Sequence, residues 1–509
     1  MDQKLRSFFP YISSLVLIGI PIGSIKEDFW DGVVITYAFK SGNLDGIEEM
    51  LTSSGWELQF YLVQLQLLIS RELGVSFHSI NVASILVSVL LIIYVTQYLA
   101  KNLLGLKPPY VLFAGTLIGA MPYWSGTPSS ILNIHTVCLA LGLIGFKFFL
   151  EKHMVPVIFG LFLMVLSFQL NSMLLFLPTI LLVTILAKKG NATKFNVLYI
   201  KLFILVLASV SYFVLKRKID PPTGAYTGYN QFQDFSSLNS YKNFLLNTIS
   251  YSTFLIFPAF TLLLGIITIV IHKKYLVKKS FLRLELKNYL YIILMAISAI
   301  LPYLMVGKSS DIRNLVGWSY RHTILLSIPL ALLIALILAS VFERIKENSP
   351  KRRISLSTVG IFSYFLMVGL LLVNFAVLQN RSVFLNDLKI LLAAEVSTVP
   401  KGLVQIVGPG IPTPEFANYE VNYLLDEVYP GLNYWGALTE KVIPDYTVPK
   451  FVSKSNKATY LYQFSNKQNS TVIYIEAVGY DLIYGLFPEG LISNDKKRIS
   501  LVKVVTSIN

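Results

Sequence analysis

Three carboxylates lie within five residues directly after the first apolar run of the chain. They are the adjacent Glu27 and Asp28, and Asp31, which follows the aromatic pair Phe29 and Trp30. Repulsion between neighbouring carboxylates, and loss of water beside aromatic rings, both favour uptake of a proton. Such a group can act as the general base that deprotonates a hydroxyl nucleophile. A pair of them could hold a divalent cation, Mg²⁺ or Mn²⁺. The alternative is that these acids are only solvated loop residues.

A second group is basic and aromatic and lies much later in the chain. It comprises Lys308, Arg313, Trp318, Tyr320, Arg321 and His322, just before an apolar run. A guanidinium at the depth of lipid headgroups can bind phosphate through two parallel hydrogen bonds. The alternatives are an interfacial aromatic belt for the rings and contact with lipid headgroups for the arginine.

The elements that must position these groups are membrane helices. The chain has 509 residues, of which 54% are hydrophobic and only 14% charged, whereas a soluble domain has about 25% charged residues. Apolar runs of about 20 residues, enough to cross a bilayer core of roughly 30 Å, recur along the first 380 positions. Soluble globular, disordered and disulfide-scaffold classes are therefore excluded. The predicted spans are 8–24, 79–99, 109–124, 129–150, 155–168, 172–187, 198–215, 251–271, 289–306, 322–341 and 355–377.

The distribution of charge predicts the orientation of these eleven spans. With the N-terminus inside, the inner loops hold 20 basic and five acidic residues, and the outer loops hold 10 basic and 11 acidic residues. This bias is the positive-inside pattern. The net charge of +15 therefore indicates anionic lipid on the inner face and not a nucleic-acid partner.

The predicted fold is mostly α, a polytopic helix bundle over residues 1–377. Its first outer loop, 25–78, includes the segment 57–72, which is predicted to lie on the outer leaflet as an interfacial helix. Residues 378–509 are predicted to form a small extracytoplasmic α/β domain, called the tail below. Its predicted elements are strands Gly402–Val407, Thr471–Val478 and Ser500–Val505 and helices Phe384–Ala394 and Asn418–Val428.

The predicted spans contain no Asp or Glu, and His135 is their main ionisable residue. Proton and ion pathways generally need such groups inside the membrane, so a proton-coupled transporter is disfavoured. A single intramembrane histidine is more typical of a packed core residue. Two polar turns, 123–128 and 167–172, could line a cavity, but both are also compatible with ordinary turns.

The layout over residues 1–345 resembles that of the GT-C class of membrane glycosyltransferases. Glu27 and Asp28 match an acidic pair after the first span. The stretch 54–61, which contains Trp56, matches the start of the interfacial helices, and Arg321 with His322 matches the basic residue that opens a late span. The pair reads Glu-Asp where Asp-Glu is frequent, so which carboxylate is the base stays open.

This resemblance implies transfer of a sugar from an isoprenoid-phosphate carrier to a glycan, lipid or protein acceptor, with inversion. The site would face the periplasm or exterior from a multi-pass position in the cytoplasmic (inner) membrane. Asp28 or Glu27, beside Asp31, would take the acceptor proton, and Arg321 with Lys308 or His322 would neutralise the departing phosphate. The expected substrate-binding residues are Trp30, Trp56, Lys308, Trp318, Tyr320, Arg321 and His322.

Three other functions fit the sequence less well. A polymerase or ligase of O-antigen or exopolysaccharide usually carries its chemistry in a large late loop, whereas the late loop here, 307–321, is short. A flippase would need polar groups along a central path through the spans. A non-catalytic protein of polysaccharide assembly is neither supported nor excluded by the balanced charge of the tail.

Overall fold

The computed structural model of the chain covers the helical bundle and the core of the tail. The described residues are 3–23, 25, 32–41, 44–121, 123–124, 129–187, 192–219, 221–223, 239–248, 279–308, 322–344, 350–396, 402–409, 418–429, 434–439, 446–449, 461–464, 470–477 and 499–507.

The chain is mostly helical. Its first ten helices are α1 (Gln3–Gly23), α2 (Gly32–Ser41), α3 (Asp45–Ser53), α4 (Glu57–Leu73), α5 (Phe77–Asn102), α6 (Pro108–Gly119), α7 (Ser130–Phe149), α8 (Met154–Ser167), α9 (Met173–Ala187) and α10 (Ala192–Ile219). They are followed by α11 (239–248), α12 (Lys279–Met305), α13 (Ser327–Arg344), α14 (Pro350–Glu395) and α15 (Asn418–Val428).

Four helical stretches in the described part are long and apolar enough to cross a membrane. They are Phe77–Asn102, Asn196–Ile219, Leu286–Met305 and Tyr364–Glu395. The other predicted spans coincide with shorter apolar helices, except 251–271, which lies outside the described residues. The mostly helical fold with membrane-length helices is confirmed. The number of spans and their orientation stay predictions.

Close backbone contact joins α7 to α8 inside the bundle. A Cβ added at Gly145 would lie 2.7 Å from the carbonyl oxygen of Gly160, and one added at Gly160 would lie 2.5 Å from that of Gly145. Small residues at such crossings allow the tight packing that holds membrane helices together. The same large apolar core also packs α5 against α6 and α7.

The helices of the first loop form a separate cluster between bundle and tail. Its buried members are Ile25, Ile35, Ile47, Leu51, Phe60, Val63, Leu67, Phe77 and Leu378. The prediction of a helix over 57–72 is confirmed by α4, which buries Phe60 and Val63 and exposes Tyr61 and Leu65. An apolar face left open in this way is typical of a helix on a membrane surface.

The tail contains a four-stranded sheet with the order β2-β1-β5-β6. β1 runs parallel to β2 and β5, β6 is antiparallel to β5, and β3 pairs with β4 separately. The three predicted strands are confirmed, as is the helix Asn418–Val428; β2, β3 and β4 were not predicted. The strands are β1 (Gly402–Val407), β2 (Tyr434–Thr439), β3 (Tyr446–Pro449), β4 (Leu461–Phe464), β5 (Ser470–Ala477) and β6 (Ile499–Ser507).

Helix α14 connects the bundle to the tail without a break. It runs from Pro350 to Glu395 and so crosses residues 377 and 378, where the sequence predicts a change of domain and a separate helix further on. The polar residues Gln379, Asn380 and Arg381 look like the end of a span in sequence, but all three are buried. Packing of α14 against α15 and β6 of the tail explains why the helix continues.

Candidate functional site

Seven of the ten predicted site residues lie outside the described residues, so their predicted convergence stays a prediction. They are Glu27, Asp28, Trp30, Asp31, Trp318, Tyr320 and Arg321. The structure describes the other three, Trp56, Lys308 and His322, and Trp56 packs against the cluster that lies between bundle and tail. Their surroundings define the candidate site.

Trp56 is held at the start of α4 by a tight turn. Gly55 before it adopts a φ of 75°, a left-handed conformation that favours glycine. The backbone N–H of Trp56 donates to the carbonyl of Leu51 at 2.8 Å, and its own carbonyl accepts from Gln59 at 2.9 Å. The indole therefore projects from a fixed backbone.

A lysine and a histidine lie against the ring of Trp56. The ring of His135, on α7, has its centroid 5.2 Å from that of the indole. The Nζ atom of Lys216, on α10, lies 5.4 Å from the indole centroid and is buried. A cation over a tryptophan face contributes about 0.5–2 kcal/mol, the larger value where water is excluded. Three helices thus bring a cation, an imidazole and an indole together.

Sequence reasoning missed Lys216 as a member of this site. It stands in the run Lys216-Arg217-Lys218 at the end of a predicted span, where basic residues are counted only as loop charges. Lys218 is indeed exposed, and Arg217 lies over the ring of Phe213. Only a weak sequence signal distinguishes Lys216 from its neighbours. Of the three basic residues, Lys216 alone lies four positions after Tyr212 and so on the same face of the helix.

Lys308 and His322 are brought together around Tyr303. The imidazole of His322, a buried residue, lies 4.8 Å from the ring of Tyr303 between centroids. The backbone N–H of Lys308 donates to the carbonyl of Tyr303 at 2.9 Å, after a turn in which Gly307 has a φ of 73°. Tyr303 is therefore in contact with the ring of His322 and with the backbone of Lys308.

The polar turn 167–172 connects the two groups of residues. The amide nitrogen of Gln169 donates to the hydroxyl of Tyr212 at 2.7 Å, one helical turn before Lys216. The hydroxyl of Ser172 donates to that of Tyr303 at 3.2 Å. The turn therefore joins α10 with α12, and in the described part of the chain Gln169 Oε1 is a buried acceptor with no hydrogen-bond partner. Such an atom can accept a hydrogen bond from a ligand hydroxyl.

The other polar turn has a structural role where it is described. Trp124 is fully buried and its Nε1 donates to the carbonyl of Ile118 at 2.5 Å. Tyr123 packs edge-on against it, with ring centroids 5.2 Å apart. These two aromatic residues belong to the core of the bundle.

A buried amide network fixes α7, which carries His135, against α5. The side-chain nitrogen of Asn133 donates to Asn81 Oδ1 and to Ser84 Oγ, both at 2.5 Å. Asn133 and Asn81 are almost fully buried. Because one residue of α7 forms hydrogen bonds with two residues of α5, the network fixes the position of α7 along the axis of α5.

We expect Asn133→Ala to lower the free energy of unfolding by about 1–3 kcal/mol, because Asn81 Oδ1 loses a buried donor. Thermal unfolding in detergent measures the effect. Asn102→Ala is the matched control: the Asn102 amide donates to the Tyr98 carbonyl at 3.0 Å but is exposed. An equal loss in both variants would argue against a special role for the network.

Over the described parts of the chain, no group of three or more His, Cys, Asp or Glu side chains could hold a metal ion. The acidic segment 26–31, on which the sequence suggests a divalent cation, lies outside those parts. The described site therefore offers cations, imidazoles, hydroxyls and an amide, a set suited to binding an anionic and hydroxyl-rich ligand.

No family model matches the chain. No curated protein matches it either.

Proposed function

We propose that the chain is a membrane glycosyltransferase of the GT-C kind that acts at the outer face of the cytoplasmic membrane. It transfers a sugar from an isoprenoid-phosphate carrier to a glycan, lipid or protein acceptor. The observation that carries this proposal is the burial of the Lys216 ammonium against Trp56, whose ring also packs on His135. Trp56 in turn packs against the cluster that contains Ile25, the residue before the acidic segment in the chain. A buried cation at such a place favours an anionic partner.

The residues that flank the acidic segment support this placement. Ile25, before the segment, is buried in the cluster against which Trp56 packs. Gly32, after it, begins α2, which packs against α7, the helix that carries His135. The six residues between them can span no more than about 24 Å even when fully extended. Both flanks of the segment thus contact elements that carry Trp56 or His135, which supports a role for the segment at this site.

The proposed reaction is a single displacement with inversion. A carboxylate of Asp28 or Glu27 takes the proton of the acceptor hydroxyl, whose oxygen attacks the anomeric carbon. The bond from that carbon to the phosphate oxygen breaks, and the phosphate leaves with the electron pair. Arg321, with Lys308 and His322, neutralises the leaving phosphate. Lys216 keeps a neighbouring carboxylate ionised and so able to accept the proton.

We expect Asp28→Asn to lower transfer by at least about 100-fold, because the proton acceptor is lost while size is kept. Transfer is measured with purified protein and labelled sugars on polyprenyl phosphate. Glu27→Gln tests the other carboxylate, and Glu48→Gln, at an exposed position of α3 in the same loop, is the matched control. Full activity of both Asp28→Asn and Glu27→Gln would remove the acidic segment from the mechanism.

A further inference from the structure

Helix α2 follows the acidic segment directly and is joined to α15 of the tail by three contacts. The hydroxyl of Tyr37 donates to Oδ2 of Asp426. The ring of Tyr37 lies 4.8 Å from that of Tyr423 between centroids. The Nζ atom of Lys40 lies 2.8 Å from Oε1 of Glu427. One helix of the first loop is thus attached to one helix of the tail.

Helix α15 is in turn fixed to the end of α14. Arg381 of α14 donates to both carboxylate oxygens of Glu420, and both side chains are fully buried. The hydroxyl of Tyr429, just after α15, donates to the carbonyls of Leu392 at 3.0 Å and Val396 at 2.8 Å. Because α14 is continuous with the bundle, α15 is a rigid support for α2.

Glu427 connects the two attachments electrostatically. It accepts from Lys40 of α2 at 2.8 Å and from Lys389 of α14 at 2.5 Å. Burial alone would raise the pKa of Glu427, but the hydrogen bonds and charges of the two lysines outweigh it and lower the pKa below its usual value. The carboxylate is therefore ionised at neutral pH, and both ion pairs are present.

The contact between α2 and α15 is polar and not tightly filled. A cavity of about 30 Å³ lies within it, lined by Thr36, Tyr37 and Lys40 of α2 and by Glu420 and Glu427 of α15, among others. The Lys40–Glu427 pair is partly exposed, and such pairs contribute about 1 kcal/mol or less. Loss of this contact should therefore loosen α2, which stays packed against α7, without unfolding the tail, whose own apolar core lies elsewhere.

We propose that the tail is a positioning element for the acidic segment, and that Asp426 and Tyr37 are the positioning residues that hold α2 in place. This inference rests on the proposed function, because it assigns the tail a role in orienting Glu27, Asp28 and Asp31 toward the substrate. Misplacement of a reacting group by about 1 Å can lower a rate by about 100-fold. Because α2 begins at Gly32, the residue after the segment in the chain, a support of α2 would act on the segment through this direct connection.

Asp426→Asn and Tyr37→Phe, singly and together, test the proposal in the full-length protein. Glu476→Gln and Tyr474→Phe, both on β5 of the tail, are the matched controls. The rate of amide hydrogen exchange in α2 reports on the contact directly, and its measurement does not require an enzymatic assay. We expect exchange of α2 to accelerate at least about fivefold in either single variant, no further acceleration in the double variant, and unchanged exchange of β1 and β5.

Sugar transfer is then measured on the same samples. We expect kcat to fall about tenfold in Asp426→Asn while KM for the lipid-linked donor changes less than twofold, because a displaced base slows proton transfer but leaves donor binding intact. A merely structural role would lower the amount of folded protein and would not separate kcat from KM.

The outcomes separate this inference from the proposed function. Unchanged exchange of α2 in Asp426→Asn would overturn the attachment itself. Faster exchange with unchanged kcat would overturn the positioning role. If the wild-type protein transfers no sugar from any polyprenyl-phosphate donor, the proposed function fails, and the positioning role fails with it, while the exchange data still decide whether the tail holds α2.

Discussion

Lys216→Ala is expected to lower sugar transfer by about 100-fold or more. The Nζ atom of Lys216 is buried beside Trp56 and His135, where water cannot replace it. Removal of one preorganised charged or hydrogen-bonding group from an active site typically costs a factor of about 10²–10³ in kcat. The measurement is transfer from labelled polyprenyl-phosphate sugars at saturating donor, with protein amounts matched by gel filtration.

Lys218→Ala is the control for this prediction, because Lys218 is on the same helix two residues later but is exposed. We expect its activity to stay within twofold of the wild type. Lys216→Arg keeps the charge but not the shape of the ammonium, so intermediate activity is expected. Equal activity of Lys216→Ala and Lys218→Ala would show that the buried ammonium takes no part in the reaction.

Arg381→Met is expected to destabilise the tail by about 3–5 kcal/mol. Arg381 and Glu420 are both fully buried and paired through two hydrogen bonds. Removal of one partner leaves an uncompensated charge in the interior, and breaking a buried pair in this way costs about that amount. Hydrogen exchange of the β1 and β5 amides in the intact protein measures the loss, as protection that falls by about two to four orders of magnitude.

The double variant Arg381→Met with Glu420→Leu checks the reason for this loss. Replacement of a whole buried pair by apolar side chains of similar volume is often neutral, so most of the protection should return. Glu151→Gln is the control, because it breaks a partly exposed ion pair in which Lys147 Nζ lies 3.8 Å from Glu151 Oε1. Its loss should lower the free energy of unfolding by well under 1 kcal/mol. A double variant as unstable as Arg381→Met would mean that Arg381 acts through contacts other than Glu420.

Much of the secondary structure follows from the sequence because apolar runs and turn residues are local signals. Every predicted span within the described residues coincides with a helix, and β1 and α15 have the predicted bounds. The strands β2, β3 and β4 were missed: β2 pairs with β1, and β3 with β4. Pairing of this kind depends on distant residues, which a local pattern does not report.

The candidate site was predicted only in part, for a similar reason. The ring of His322 and the backbone of Lys308 both contact Tyr303, whereas their predicted convergence with Arg321 and the acidic segment stays a prediction. Gln169 and Ser172 had the polar character of a cavity lining, but the sequence could not distinguish this role from that of an ordinary turn. Their bonds to Tyr212 and Tyr303 exist only because α10 and α12 pack beside the turn.

The sequence by itself determined that this is a mostly helical protein with membrane-length helices, since hydrophobicity and helix length are set residue by residue. It also identified the acids and cations available for chemistry. Only the tertiary structure decided that Lys216 lies under Trp56, that α14 continues through its polar residues, and that the tail attaches to α2. Each of these depends on contacts between elements that are distant in the sequence, and such contacts form only when those elements pack together.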